Sequence, residues 1–345
     1  MLTAPPAPSR WRHARRWGVV ALVFVLLLGV GAGVLYWLNN RYVDQVGRLP
    51  QVFAPLDNAT RPAPPATTTP ASPSGAAAPA STGVAQTYLL LGSDLVNDGI
   101  SRADTIMMVR MAADRLSAEA VSIPRDSWVD IPGYGMNKVN AAYAFGGPTL
   151  MVQTVEQLTK VRIDHVLAVD FTGFAAMVDA VGGIDVNVAQ QTVMEGYTFL
   201  AGRNFLDGAH ALLYVRQRKN LPGGDFDRVQ RQQNALRAFG KAAQSKGALS
   251  NPVQTNRLFS TIAASLKVDD GLTNTDLRAL FDSMRYLPPD QVGFYTAPVT
   301  GTGDENGQSV VYLDPAPAAT FWDRFVQLQV GAHSAEYKQL PDLVR

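Results

Sequence analysis

The chain has 345 residues, 47% of them apolar and 17% charged, enough to bury one or two substantial cores, and it contains no cysteine. Disulfides, thiolate metal sites and a cysteine nucleophile are thereby excluded, and the compartment has to be read from elsewhere. The formal net charge of +1 conceals an asymmetry, since seven of the 30 basic and two of the 29 acidic residues precede Ala85, which leaves 23 − 27 = −4 for the remainder.

Residues 1–16 form a basic tail in which Arg10, Arg12, Arg15 and Arg16 precede an uncharged apolar run at 17–38. At 1.5 Å per residue such a run covers the ~30 Å of a bilayer, and it is longer than the ~7–15 apolar residues of a signal peptide. It is read as an uncleaved transmembrane helix. The arginines mark its cytoplasmic side and Trp17, Tyr36 and Trp37 its interfaces, so the bulk of the chain is expected outside the cytoplasm, anchored by a single pass in the cytoplasmic membrane. Residues 39–84 turn to Pro, Ala, Thr and Ser and are expected to be a solvated spacer.

Folded sequence is expected over 85–330, followed by a tail at 331–345. Apolar runs at 87–91, 105–111 and 118–123 predict strands buried on both faces. Helical spacing of Leu150, Val155 and Leu158, a strand at 164–169, a helix capped by Thr172 and ended by Gly182 and Gly183, and a strand at 184–188 continue the alternation. Asp207 reads as a helix N-cap. Helices are expected over 226–246, after Pro252, after Thr275 and around 321–328, with a strand at 292–296. The fold class implied is α/β, a mixed central sheet flanked by helices and preceded by one transmembrane helix.

Residues 214–233, YVRQRKNLPGGDFDRVQRQQ, put Arg216, Arg218, Lys219, Arg228 and Arg231 on either side of a Pro-Gly-Gly turn. If the chain is extended at 216–218, both arginines share a face, and Arg228 and Arg231 are neighbours on a helix. Cations in a first helical turn oppose the macrodipole, whereas a bound phosphate would favour them. In α/β sheets ligands lie beyond the strand ends, and there the sequence places Asp94, then Arg102 and Asp104, then Arg125 and Asp126. Guanidinium forks match phosphate oxygens in a way lysine cannot. Arg110, Arg115 and Arg162 read as solvated surface charges, and the scattered His13, His165, His210 and His333 lack the spacing of a helical zinc site. Met107, Met108 and Met111 fit a strand core, or an adaptable apolar wall for a lipid tail.

The blocks LLLGSD, SRADTIMMV, VSIPRDSWVDIPG, NKVNAAYAFGG, MVDAVGGIDVNV, LDGAHALLYVRQR and GDFDRVQRQQ, in this order between Leu89 and Gln233, resemble the extracytoplasmic domain of the LytR-CpsA-Psr family. The resemblance implies an LCP-type α/β sandwich and a phosphotransferase-type enzyme that moves a glycan or teichoic-acid-like polymer from a polyprenyl diphosphate carrier onto a peptidoglycan acceptor. It implies Mg²⁺, or Mn²⁺ in its place, on Asp94 and Asp104, and a lipid diphosphate on Arg102, Arg125, Arg216, Arg218, Arg228 and Gln232. Asp225 matches a further polar position and is the candidate general base, with Asp126 as rival, and Arg125 and Arg216 are catalytic candidates. Many members carry a basic residue at the position of Gly223 and glycine at that of Asp227, so the strength of anion binding is open there. Transfer at the sugar carbon attached to the diphosphate would expel it, and arginines with Mg²⁺ would stabilise the charge that builds on its oxygens. The alternatives are a polyprenyl-diphosphate phosphatase, a lipid-carrier binding protein and a nucleic-acid-binding attenuator. An outward-facing domain of charge −4 opposes the last, so no nucleic-acid partner is expected.

Overall fold

The structure, a computed structural model, describes residues 41–64, 83–93 and 103–345 apart from 246, 250, 334, 335 and 338. The expected anchor at 17–38 and two expected ligand residues, Asp94 and Arg102, lie outside these residues. No helix among the described residues is long and apolar enough to cross a membrane.

Strands β1 (Gly47–Leu49), β2 (Gln86–Ser93), β3 (Ala103–Met111) and β4 (Ala118–Ser122) are followed by the hairpin β5 (Trp128–Ile131) and β6 (Gly135–Lys138) and by helix α1 (Val139–Thr159). Next come β7 (His165–Asp170), α2 (Phe171–Ala180), β8 (Ile184–Val188), the pair β9 (Thr192–Met194) and β10 (Tyr197–Phe199), β11 (Gly202–Leu206), α3 (Gly208–Arg216) and α4 (Asp225–Ser245). The chain continues through α5 (Pro252–Ser265), β12 (Leu266–Asp269), α6 (Asn274–Ser283), β13 (Val292–Thr296), the hairpin β14 (Val299–Glu305) and β15 (Gln308–Leu313), and α7 (Pro315–Val326). A seven-stranded sheet runs β1-β12-β7-β2-β3-β4-β13, parallel at β1/β12, β2/β7 and β4/β13 and antiparallel elsewhere, so the expected mixed sheet flanked by helices is present.

The side-chain alternation of the central strands divides two cores. Leu89 of β2 and Ile106 and Met108 of β3 join Val139, Val155, Phe321 and Phe325 of α1 and α7 in a dense layer. Met107, Ala120 and Phe294 point the other way, where Leu90, Val109 and Leu236 of α4 pack beside them. On this second face α2, α4, α5 and α6 do not close down fully, and an apolar cavity of about 350 Å³ remains between them and the sheet.

Several local expectations change. Helix α2 is capped by Asp170, whose Oδ1 accepts from Gly173 N–H at 2.6 Å, and Thr172 lies inside the helix. Gly182 and Gly183 end it as expected, both at positive φ, with their N–H groups donating to Asp179 and Val178 carbonyls. Asp207 caps α3 as expected. Strand 184–188 exists, but among the described residues it pairs with β11, and through a bridge from Val188 to Val344, outside the central sheet. Arg110 is buried rather than solvated, with Nη1 donating to Thr87 Oγ1 and Nε to the Val326 carbonyl.

The spacer expected at 39–84 is overturned for its first part. Residues 47–49 add an edge strand to the sheet, and Val43, Val46, Val52 and Leu56 are buried. Arg61 then reaches Glu156 on α1 through Nε and Nη2, at 3.0 and 2.7 Å, and both side chains are almost fully buried. Sparse apolar residues suffice here because they dock on a preformed domain instead of building a core. The tail expected at 331–345 also packs: Leu340 and Val344 are buried, the Leu340 N–H donates to the Phe294 carbonyl and the Val344 N–H to that of Asn187.

Candidate functional site

The antiparallel register of β3 and β4 pairs Met107 with Ser122, and its continuation sets Asp104 opposite Arg125. Their carboxylate and guanidinium form a hydrogen-bonded ion pair. Arg125 sits in a turn just beyond β4, closed by the Ser127 N–H and Oγ–H donating to the Pro124 carbonyl. The Asn140 N–H at the start of α1 donates to the Arg125 carbonyl, so strand end, turn and helix start are tied together.

Asp225 begins α4 after the Pro-Gly-Gly turn, and its Oδ1 is the meeting point of three guanidiniums. It lies 2.8 Å from Arg228 Nη2, 3.4 Å from Arg218 Nε and 3.5 Å from Arg125 Nε. These contacts are close without being aligned: among the described residues both Asp225 carboxylate oxygens, Arg125 Nε, and Nε and Nη2 of Arg228 are buried with no hydrogen-bond partner. Orphaned charged groups of this kind are costly unless something completes them. Burial works against the Arg125 cation, yet Asp104 and Asp225 outweigh it and push its pKa up. For Arg228 burial wins and its pKa is pushed down against the pull of Asp225, with neighbouring Arg125 adding to the fall. One more anion here would relieve that cation.

Arg216 is the last residue of α3, so the chain is helical up to it and not extended over 216–218. Its guanidinium lies over the Phe171 ring, 5.1 Å from the centroid, and Phe171 lines the apolar cavity. Gln232, four residues after Arg228 on the same face of α4, lines that cavity too. Arg216 and Arg228 thus each have a neighbour, Phe171 and Gln232, in the wall of the cavity, which also includes Leu90, Val109, Phe174, Ile262, Phe281 and Met284. Met111 belongs to this wall, while Met108 lies in the opposite core.

Arg231 does not join the cluster. It is fully buried, with Nη1 donating to Gln217 Oε1, Nη2 to Thr192 Oγ1 and Nε to Arg345 O, and it rests on the Tyr214 ring. Its role is to bind β9 and the C-terminal segment to α4. Gly223 and Asp227 turn out to be one device: the Gly223 N–H donates to Asp227 Oδ2 at 2.7 Å, and a Cβ on Gly223 would stand 2.6 Å from Asp227 Oδ1. The extra carboxylate is spent on the turn rather than aimed at the arginines.

A second, polar cavity of about 400 Å³ is lined by Arg125, Asp126, Lys138, Asn140, Arg218, Asp225 and Phe226 and by Thr302, Gln308 and Ser309 of the β14–β15 hairpin. The sequence reading assigned no role to Lys138, Asn140, Phe171 or the hairpin. Lys138 and Asn140 fall in the block NKVNAAYAFGG, and that position was the available signal; the hairpin residues carry no sequence signal at all. Of the expected metal ligands, Asp104 is engaged by Arg125 through one oxygen, and no group of three or more His, Asp or Glu able to hold a metal occurs among the described residues.

A family model, LytR_cpsA_psr family, matches residues 65–325. The cell wall biosynthesis protein LcpA of Corynebacterium glutamicum is 33% identical over 291 residues, 74% of this chain and 55% of its own, so the chain spans little more than half the length of that relative. The Enterococcus faecalis protein TagU, named a polyisoprenyl-teichoic acid–peptidoglycan teichoic acid transferase, is 31% identical over 73% of this chain and 77% of its own. The crystal structure of Bacillus subtilis TagV is similar at a TM-score of 0.60 with 26% identity, covering 72% of this chain and 97% of that one. With its mixed sheet, its arginine cluster and a family match over most of its length, the chain belongs to the LytR-CpsA-Psr family.

Proposed function

We propose that this protein transfers a glycan or teichoic-acid-like polymer from a polyprenyl diphosphate to a hydroxyl of peptidoglycan, as a single-pass membrane enzyme whose domain lies outside the cytoplasm. The observation that carries the reading is a pair of guanidiniums, Arg125 and Arg228, with buried nitrogens that lack hydrogen-bond partners among the described residues, in a molecule that also keeps an apolar cavity reached through Gln232 of the same helix. A ligand with a phosphate head and a hydrocarbon tail completes both at once. The name of TagU, a teichoic acid transferase, supports the reaction class, and that of LcpA, a cell wall biosynthesis protein, supports a place in the cell envelope.

In this reading the tail enters between the sheet and α2, α5 and α6. Arg125, Arg216, Arg218 and Arg228, with Arg102, hold the diphosphate, and Gln232 sits where head meets tail. As the bond between the glycan and its carrier phosphate breaks, its electrons remain on the phosphate oxygens, where preorganised guanidiniums stabilise them. The acceptor oxygen bonds to the transferred group, and its proton passes to Asp225, with Asp126 as the rival acceptor. Asp225 serves a second purpose, since as the shared counter-charge of three arginines it keeps them gathered before the diphosphate arrives. Hard oxygen donors suit Mg²⁺, which Asp104, through the oxygen Arg125 leaves free, and Asp94 would hold to supply Lewis-acid stabilisation of the diphosphate.

The test is a transfer assay with the full-length chain, a lipid-linked glycan and uncrosslinked peptidoglycan. Arg125→Ala or Arg216→Ala abolishes transfer while the circular-dichroism spectrum is retained. Wild-type rates in both variants would remove the arginines from the mechanism, and release of phosphate without glycan attachment would favour a phosphatase.

A further inference from the structure

The floor of the apolar cavity is one face of the sheet, and the pairing registers lay it out in rows. Gly92, Thr105 and Val169 form the row from which the chain leads on to Asp170 and Phe171, the ring under the Arg216 guanidinium. Leu90 and Leu167 form the next row, Tyr88 and Val109 the one after, and Met111, opposite Gln86, ends the floor. Gly92 and Tyr88 are four residues apart on β2, ~13 Å at ~3.3 Å per residue. The cavity therefore has a head end beside Arg216 and a far end at Tyr88 and Met111.

At the far end the surroundings turn polar. Arg115, in the turn between β3 and β4, is half-buried where the sequence suggested a solvated charge. Its Nη1 donates to Tyr88 Oη at 3.0 Å and lies 3.1 Å from Met111 Sδ, while Nη2 donates to Gln86 Oε1. The Tyr88 hydroxyl donates to the same Gln86 oxygen at 2.7 Å, and Gln86 Nε2 stands 3.4 Å from His165 Nε2. Helix α6 crosses the same edge of the sheet, since it leads from the end of β12 to the start of β13, where Val292 pairs with Ala118 and Ala118 with Met111. Gln244 of α4 donates to the carbonyl of Leu287, a cavity residue just beyond α6. These polar groups satisfy one another, so an apolar chain pushed past them would strip hydrogen bonds from a cation and a phenol.

We infer that Arg115 and Tyr88 form a stop for the lipid tail, which sets how many isoprene units enter the protein and leaves the rest of the carrier outside. The head end admits the diphosphate-proximal units, and the hydrogen-bonded pair at the far end halts the chain about where an extended farnesyl group would finish. The volume agrees, since about 350 Å³ is at the lower end of the ~300–1,000 Å³ of small-molecule sites and holds only a short stretch of a long polyprenyl chain. Specificity for the carrier then lies in its first few units, and its full length is not read. The inference rests on the lipid-diphosphate reading for which end of the tail enters, but not for the stop itself.

The experiment uses the full-length chain in detergent micelles and calorimetric titration with geranyl, farnesyl and geranylgeranyl diphosphates, each one isoprene longer than the last, and with the matching prenyl alcohols. One variant is Arg115→Gly, which removes the guanidinium at a φ of 62° that glycine adopts freely. The other is Tyr88→Leu, which keeps an apolar strand residue and removes the hydroxyl. The quantity read is the ratio of variant to wild-type affinity at each length, in which partition of the probe into the micelle cancels. Geranyl diphosphate does not reach the stop and binds wild type and variants within about twofold, which also reports that the cavity is intact. Geranylgeranyl diphosphate binds the variants about tenfold more tightly than wild type, because the last isoprene then finds apolar cover. A ratio independent of length, or one that favours wild type for the longest probe, overturns the inference. Loss of geranyl binding in both variants overturns it too, since the pair would then support the whole cavity. Diphosphates that bind wild type no better than the alcohols strike at the functional reading, while the alcohol series still decides the stop. No binding of any probe to wild type contradicts both.

Discussion

The residues of the site divide by what surrounds them rather than by their chemistry. Arg228 and Arg231, three apart on α4, were legible as a pair of cations on one face. Arg228 meets Asp225, whereas Arg231 is taken up by Gln217, Thr192 and Arg345 O. Sequence spacing fixes which face a residue occupies, but not which distant segment covers that face. Gly223 and Asp227 illustrate the same limit, because two departures that read as separate charge changes are one turn contact. Asp227→Gly leaves the Gly223 N–H without its acceptor, at a cost of about 1–3 kcal/mol. Gly223→Ala drives a Cβ into that carboxylate in the native chain, and because the three nearest atoms all belong to Asp227 the closest contacts vanish once Asp227 is glycine. A double-mutant cycle by urea unfolding is expected to give a coupling of about 0.5–3 kcal/mol. Additive effects would contradict the contact.

At the scale of elements, the helices and the central strands were readable because each carries its own apolar period. The segments missed, among them β1, β9, β12 and β14–β15, are short or polar and owe their structure to partners far along the chain. Two elements carry consequences of their own. Arg61 clamps the segment before it to α1, so Arg61→Ala leaves the Glu156 carboxylate buried and uncompensated, and is expected to cost about 3–5 kcal/mol in chemical denaturation. A loss below about 1 kcal/mol would mean that residues 43–64 dock without it.

Glu119 on β4 is the second case. Its Oε1 accepts from the Gly331 N–H at 3.0 Å, its Oε2 has no partner among the described residues, Arg110 stands opposite it in the β3 register, and Tyr295 on β13 lies nearby. Burial pushes its pKa up to about 7, against the hydrogen bonds from Gly331 and Val330, and raises that of Tyr295 to about 12. A raised carboxyl pKa favours the protonated fold. Its contribution is complete below the unfolded value of ~4.3 and is lost as pH rises through about 7. Unfolding free energy of the native chain should therefore fall between pH 5 and pH 8 relative to Glu119→Gln, by up to roughly 3 kcal/mol. Parallel pH profiles for the two proteins would contradict it.

For the whole molecule, the family resemblance and the layered sheet were legible in the order of the motif blocks, and the match over residues 65–325 bears out that family. What the sequence concealed is how the layers are used. One face of the sheet is filled by α1 and α7, while the other keeps an apolar cavity whose wall includes Phe171, the ring under the Arg216 guanidinium. The segments before and after the expected domain are parts of it, since 47–49 extend the sheet and Leu340 and Val344 close against β13 and β8. The central claim is that lipid and diphosphate are bound together, tail in the cavity and head on the arginines. The most direct test is a structure of the full-length chain with geranylgeranyl diphosphate. Phosphate oxygens are expected within about 4 Å of guanidinium nitrogens of Arg125, Arg216, Arg218 and Arg228, the usual reach of an ion pair, with the tail between Phe174 and Phe281. A lipid seated elsewhere, or a diphosphate that touches none of these arginines, would contradict it.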